Sequence, residues 1–134
     1  MLQEEYLIDL PKIQDKRGNL TFLDHNKQIP FEIKRIYYLY DIPANATRGG
    51  HAHIKMEQVL IALSGSFDVK LFDGLKWKTY NLRFPFQALY IPPNKWREIE
   101  NFSACSICLS IVSTDFSEAD YIRDLASYVK HFNN

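Results

Sequence analysis

Two histidines one residue apart, His51 and His53, stand in the run Arg48-Gly49-Gly50-His51-Ala52-His53-Ile54-Lys55-Met56-Glu57. In a strand, alternate side chains point the same way, so both imidazoles share one face. Imidazoles so placed either grip a metal or divide proton-transfer work. An unperturbed pKa of about 6.5 suits them to both giving and taking protons near neutral pH. The plain alternative is a pair of loop histidines at a strand mouth. Lys55 shares the strand parity of the pair and is expected to face inward with it. Arg48, beside them, offers planar, bidentate contacts to a phosphate or sugar; otherwise it is a solvated loop charge.

Two patterns around the pair resemble the motifs of cupins. His51, His53, Glu57 and Gly65 follow the first motif, with one residue more than usual before the glycine. Pro92, Pro93, Asn94, Lys95, Trp96, Arg97, Glu98, Ile99, Glu100 and Asn101 occupy the frame of the second. There Asn94 replaces a glycine and Arg97 replaces the metal-binding histidine. A guanidinium is protonated and has no lone pair to offer, so Arg97 argues against a metal centre. It is expected to contact the sugar or to pair with Glu57. Trp96 and Tyr90 could stack on a ligand or simply fill the interior.

The elements that must hold these residues are short strands separated by turn signals, a pattern of an all-β sandwich or barrel. Tyr6–Leu10 ends at Pro11, and Leu20–Leu23 follows the turn at Gly18-Asn19. Ile33–Ile42 reads as one long aromatic strand. Its Tyr37 hydroxyl could donate to a developing oxyanion or orient a histidine; the alternative is a packed aromatic. Gln58–Leu63 leads into Phe67–Phe72, which alternates apolar and polar. Asp73-Gly74 marks a hairpin turn. Trp77–Leu82, Ala88–Ile91, Trp96–Ile99 and Ile107–Val112 complete the set. The tail changes period: Ile122, Leu125, Val129 and Phe132 predict one helix from about Glu118 to about His131, with Ser117 and Asp120 resembling a capping box.

A chain of 134 residues suits a single domain spanning 1–134. Sixteen basic residues balance sixteen acidic ones, which leaves no net field for nucleic acid. The acidic start Met1–Tyr6 lacks the basic and apolar stretches of a secretory signal, and no apolar run is long enough to span a membrane, so the cytoplasm is expected. Cys105 and Cys108 form a Cys-x-x-Cys, but in a strand-like run. They read as ordinary buried or edge thiols rather than a redox pair or half a zinc site.

The string Arg48-Gly49-Gly50-His51-Ala52-His53, with Ile91-Pro92-Pro93-Asn94-Lys95-Trp96 downstream, resembles the metal-free cupins that are dTDP-sugar 3,4-ketoisomerases. The likeness extends from Asp15–Leu20 to Asp120–Arg123. It implies an all-β cupin-type β-barrel, or jelly roll, with one C-terminal helix. It implies isomerisation of dTDP-4-keto-6-deoxyglucose through an enediol, without cofactor or metal. The product would enter deoxyamino-sugar synthesis for surface polysaccharide. The resemblance assigns His51 to the carbon proton and His53 to the oxygen proton, the reverse also being open. Arg17, beside Gly18, and Arg48 are expected to hold the substrate, and Arg17 favours the galacto product. A homodimer exchanging N-terminal strands is implied as well. The competing readings are a metal-dependent cupin, a sugar-nucleotide-binding module without catalysis, and a 3,5-epimerase.

Overall fold

The computed structural model describes residues 3–132. Met1 and Leu2, the first residues of the acidic start, lie outside that range. The strands are β1 (Tyr6–Asp9), β2 (Lys12–Ile13), β3 (Leu20–Thr21), β4 (Arg35–Leu39), β5 (Arg48–His53), β6 (Gln58–Ser64), β7 (Phe67–Phe72), β8 (Trp77–Leu82), β9 (Gln87–Ile91), β10 (Trp96–Glu100), β11 (Ile107–Val112) and β12 (Tyr121–Ile122). Among the described residues a single α-helix, α1 (Leu125–Phe132), follows the strands. One five-stranded sheet runs β1-β9-β6-β11-β4 and the other β12-β5-β10-β7-β8. Every strand pair is antiparallel, so the sheets face each other as a jelly roll without a continuous hydrogen-bonded barrel among the described residues.

The period-two pattern of β7 is realised directly. Phe67, Val69 and Leu71 are buried between the sheets with Leu60, Leu82, Leu89, Ile91, Ile99 and Cys108. β6 reads as a continuous apolar run because both of its faces are covered. Leu60 and Ala62 face the other sheet, whereas Val59 and Ile61 pack under Leu10, Ile29 and Phe31 from the N-terminal segment. Cys108 lies in the inter-sheet core, where burial pushes its thiol up to about 12. Cys105 is exposed, and the two thiols are unpaired.

Two expectations need correction. The aromatic strand is shorter than Ile33–Ile42, covering only Arg35–Leu39. The tail is not one helix from Glu118. Residues Glu118–Asp120 form a single 3-10 turn, Tyr121–Ile122 pairs with β5, and the α-helix begins at Leu125. Ser117 makes no side-chain cap. Asp124 caps α1 instead, accepting from the Ser127 backbone N–H at 2.9 Å. The helix anchors through Tyr128, which is fully buried against Trp96 and Ala52. Its hydroxyl lies 2.9 Å from the carbonyls of Phe72 and Asn94. Leu125, expected on the buried face, is exposed. No helix among the described residues is long and apolar enough to cross a membrane.

Gly65 turns β6 into β7 at φ +69°, and a Cβ there would lie 2.5 Å from Ser103 Oγ and 2.7 Å from Ser106 Oγ. That is why the glycine of the first motif is needed. Gly65→Ala is expected to lower stability by about 2–3 kcal/mol, through a left-handed backbone and a displaced serine pair. A urea unfolding midpoint measures it; an unchanged midpoint would show that the turn relaxes freely.

Candidate active site

The chemistry of the site begins with a bulge. Across β5 and β10, Arg97 pairs with His51, Glu98 with Gly49 and Ile99 with Arg48, so Gly50 is the extra residue. Gly49 and Gly50 both have positive φ, which this bulge requires. In an unbroken strand Arg48 and His51 would face opposite ways, being three residues apart. The inserted Gly50 restores common parity. Arg48, His51, Arg97 and Ile99 therefore line one cavity, with Tyr37, Gln58 and Ser110 from the facing sheet. Its enclosed volume is about 70 Å³. It opens beside a groove of about 260 Å³ that shares Leu39 and Arg48 and is bordered by Tyr38, Tyr40 and Pro43.

Arg97 is 1% exposed; its two terminal nitrogens are engaged, whereas Nε is buried without a hydrogen-bond partner among the described residues. Nη2 donates to the Lys95 carbonyl at 2.9 Å, and Nη1 donates to Gln58 Oε1. Gln58 Nε2 in turn donates to Tyr37 Oη at 3.0 Å and Ser110 Oγ at 2.6 Å. With its oxygen accepting from Gln58, the Tyr37 hydroxyl proton is available to the cavity. Burial draws the Arg97 pKa down to about 10, which leaves it charged at neutral pH.

The two imidazoles meet edge to face with ring centroids 4.7 Å apart. Burial and then the Arg97 charge push His51 down to about 4, partly offset by the Gly49 backbone. His53 is pushed well below its ordinary value by burial, by Arg97 and by His51. Both rings are thus neutral at pH 7. Nε2 of each is buried without a hydrogen-bond partner among the described residues. Tyr121 of β12 packs against both rings, at 4.4 Å from His53 and 5.0 Å from His51, and the Arg123 guanidinium lies 4.0 Å over its face. Asp120 Oδ2 lies 3.2 Å from His53 Nδ1.

The structure brings together His51, His53, Tyr37, Arg48 and Arg97. Others of the expected site residues stand apart. Lys55 lies beyond the end of β5 and is exposed, because its strand stops at His53 and parity no longer applies. Trp96 is buried under α1, with Nε1 donating to Glu98 at 2.9 Å. Tyr90 is buried under the N-terminal segment, stacked on Tyr6, and its hydroxyl donates to Glu57 at 2.6 Å. Glu57 is therefore occupied, and the partner of Arg97 is Gln58 rather than Glu57. Arg17 is exposed and clamped by Asp15 at 2.9 and 3.0 Å, away from the cavity. Arg123 belongs to the segment before α1 and pairs with Glu118. Gln58, Ser110, Asp120 and Tyr121 are site residues that sequence reasoning missed.

The donor set does not fit the metal that a cupin site usually holds. Two imidazoles face a guanidinium where a third ligand would stand, and Glu57 is engaged elsewhere. No group of three His, Cys, Asp or Glu residues able to hold a metal occurs among the described residues.

The FdtA family profile, described as WxcM-like, C-terminal, matches residues 3–133. The TDP-4-oxo-6-deoxy-alpha-D-glucose-3,4-oxoisomerase of Aneurinibacillus thermoaerophilus is 41% identical over 128 residues, covering 96% of this chain and 92% of that protein. A 3,4-ketoisomerase from Helicobacter canadensis superposes with a TM-score of 0.96 at 40% identity, covering 99% of this chain and 100% of that one. A histidine-to-asparagine mutant of the 3,4-ketoisomerase QdtA from Thermoanaerobacterium thermosaccharolyticum, in complex with TDP-4-keto-6-deoxyglucose, superposes with a TM-score of 0.94 at 38% identity, covering 98% and 95%. The chain, matched over residues 3–133 and aligned almost end to end with these isomerases, belongs to the FdtA family, described as WxcM-like, C-terminal.

Proposed function

We infer that the two imidazoles of this 3,4-ketoisomerase move the protons that shift a ketone from C4 to C3 of a TDP-linked 4-keto-6-deoxyglucose. The observation that carries this is a pair of neutral, buried imidazoles, each with a free Nε2, beside a cation that cannot take a proton from them. His51 lines the cavity and serves as the base for carbon. It removes the C3 proton; the electron pair forms the C3=C4 bond, and the carbonyl pair moves onto O4. His53, deeper in the site, carries the hydroxyl proton from O3 to O4. As O3 becomes the ketone, the double-bond pair takes the His51 proton at C4. The electrons stay in the sugar, the protons held on the two imidazoles exchange with solvent before they are delivered, and no external reductant is needed. Arg97 and the Tyr37 hydroxyl stabilise the charge that builds on the enediolate oxygens.

In this reading Arg48 stands between the cavity and the neighbouring groove, placed for the diphosphate, with the nucleoside lying along the groove. Because His51 both takes the C3 proton and delivers one to C4 from the same face, the galacto configuration at C4 is the favoured product, and a 3-keto sugar is ready for amination at C3. The enzyme would work in the cytoplasm, where activated sugar nucleotides are made. It would also be a homodimer: the outer face of one sheet exposes Ile36, Tyr38 and Leu63, and β1 exposes Tyr6 and Leu7. Exchange of N-terminal strands would leave the β1–β9 register intact with β1 supplied by the partner. Sedimentation of the purified protein is expected to give twice the chain mass at micromolar concentration; a monomer would remove the exchange.

Incubation with TDP-4-keto-6-deoxyglucose in deuterated water tests the reaction. Deuterium at C4 and a ketone at C3 are expected by NMR; a parallel reaction in ordinary water retains H4, and its coupling to H5 distinguishes galacto from gluco product. Label at C5 would indicate an epimerase instead, and no label would leave only a binding protein. His51→Asn is expected to lose about 10³-fold or more in kcat with nucleotide affinity within about tenfold of wild type. An equal loss of binding would make His51 a contact residue.

The pH dependence follows from the sign of the His51 shift. The base acts when neutral, and its pKa in the free protein lies near 4. kcat/KM is therefore expected to stay level as pH falls through 6.5 and to decline only as it approaches about 4. An acid limb centred near 6.5, the ordinary histidine value, would show an unperturbed imidazole and contradict the buried geometry.

A further inference from the structure

The structure assigns Asp120 a part in the reaction: as a positioning residue it holds His53 in the Nδ1–H tautomer, so that His53 takes the O3 proton before it gives one to O4. This rests on the reading of His53 as the carrier of the oxygen proton.

Three donors converge on the Asp120 carboxylate. Oδ1 accepts the Lys55 backbone N–H at 2.8 Å, and Oδ2 accepts that of Met56 at 3.2 Å. Oδ2 also lies 3.2 Å from His53 Nδ1. The backbone N–H groups can only donate, so both oxygens of the group are committed as acceptors. A neutral imidazole has one N–H, and a carboxylate at Nδ1 draws it there. The lone pair is then left on Nε2, which is buried and has no partner among the described residues. The contact is sheltered from water, since His53 is fully buried and the Asp120 side chain is 13% exposed.

The neighbouring backbone keeps this geometry in register. The Asp120 carbonyl accepts the Ile54 N–H at 3.0 Å, and Tyr121 pairs with His53 in the β12–β5 ladder. Asp120 is thereby stitched to the chain on the far side of His53 as well as to its ring. Lys55, expected inward as a side chain, contributes its backbone N–H to this same anchor.

The tautomer sets the order of events. A bare Nε2 cannot protonate O4 first. It accepts the proton of the O3 hydroxyl, and the ring becomes an imidazolium whose Nδ1–H faces the Asp120 carboxylate. Nε2 then gives that proton to O4, restoring the neutral ring. One O–H bond breaks and one forms; His53 and Asp120 end as they began. The opposite tautomer would have to donate first and be reprotonated afterwards.

The alternative is that Asp120 merely fastens Ile54–Met56 to β12. Two measurements separate the roles. In the free wild-type protein with 15N-labelled histidine, His53 Nδ1 is expected at the shift of a protonated ring nitrogen and Nε2 at that of an unprotonated one. Asp120→Asn keeps an oxygen for a backbone N–H but presents an amide N–H to Nδ1, which moves the ring proton to Nε2. The expected result is reversed 15N shifts and a fall in kcat of about 10²-fold, with KM within about threefold. The idea is overturned if wild-type His53 carries its proton on Nε2, if the variant reverses the tautomer yet keeps kcat within about threefold, or if kcat falls with the tautomer unchanged. Should the variant fail to fold, the wild-type spectrum still decides the tautomer. Absence of deuterium at C4 with the wild-type enzyme would instead remove the reaction itself, a failure that the spectrum of the free protein distinguishes from a wrong tautomer.

Discussion

A guanidinium sealed inside the jelly roll sets the terms for everything around it. Burying an ion costs several kcal/mol unless its donors are engaged. Here Arg97 meets the Lys95 carbonyl on its own chain segment and Gln58 on the facing sheet. Gln58 cannot turn to serve Arg97 unless its amide N–H groups find acceptors, and Tyr37 and Ser110 supply them. One cation thus fixes the rotamers of residues on β4, β6, β10 and β11. The cavity wall is a consequence of satisfying that charge, and its polar side faces the place where substrate oxygens would lie.

The second organising feature is β12, a strand of only two residues. It closes the sheet beside β5 and delivers Asp120 and Tyr121 to the histidines. Helical periodicity hides it, because Ile122 fits the spacing of the apolar residues in α1. The chain abandons the helix there since the β5 edge offers unpaired backbone groups, and pairing them outweighs a weak local preference over so short a stretch. The apolar stripe resumes at Leu125, with Tyr128 as the anchor that inserts against Trp96 and Ala52.

What the sequence made legible follows from how local each signal is. The strands β6, β7, β8 and β11 carry their pattern within six or seven residues, and they form about where that pattern places them. The shared face of His51 and His53 is a property of adjacent positions and survives folding. Arg97 replaces a metal ligand within a recognisable frame, so its inward aim was inferable. What the sequence left open or misplaced is long-range. Lys55 obeys parity only while a strand continues, and the strand stops at His53. Trp96 and Tyr90 are large aromatics near the motif, yet each is claimed by a separate packing cluster. Gln58 and Ser110 each stand as one polar residue in an apolar strand, and that mismatch was the available signal: a polar group there needs a buried partner. Asp120 looked like a helix cap, and only the fold shows its carboxylate 67 positions away in sequence from the ring it holds.

The same electrostatics serve the resting enzyme and the reacting one with opposite sign. Burial, and after it the Arg97 charge, disfavours a proton on either imidazole, which keeps both as acceptors in the free protein. In the proposed reaction, once His51 holds the C3 proton, the substrate would carry the compensating negative charge on its enediolate, between the imidazolium and the guanidinium. The Arg97 repulsion, which adds to burial in lowering the histidine pKa, would then be screened by an anion that exists only along the reaction coordinate. Interactions stronger in the transition state than in the ground state are those that raise kcat. A metal in the place of Arg97 could polarise the carbonyl, but it would also occupy the Nε2 lone pairs that the proposed proton relay needs. In the proposed reaction, an arginine in place of a ligand histidine would keep positive charge beside the sugar and leave both imidazoles free for proton transfer.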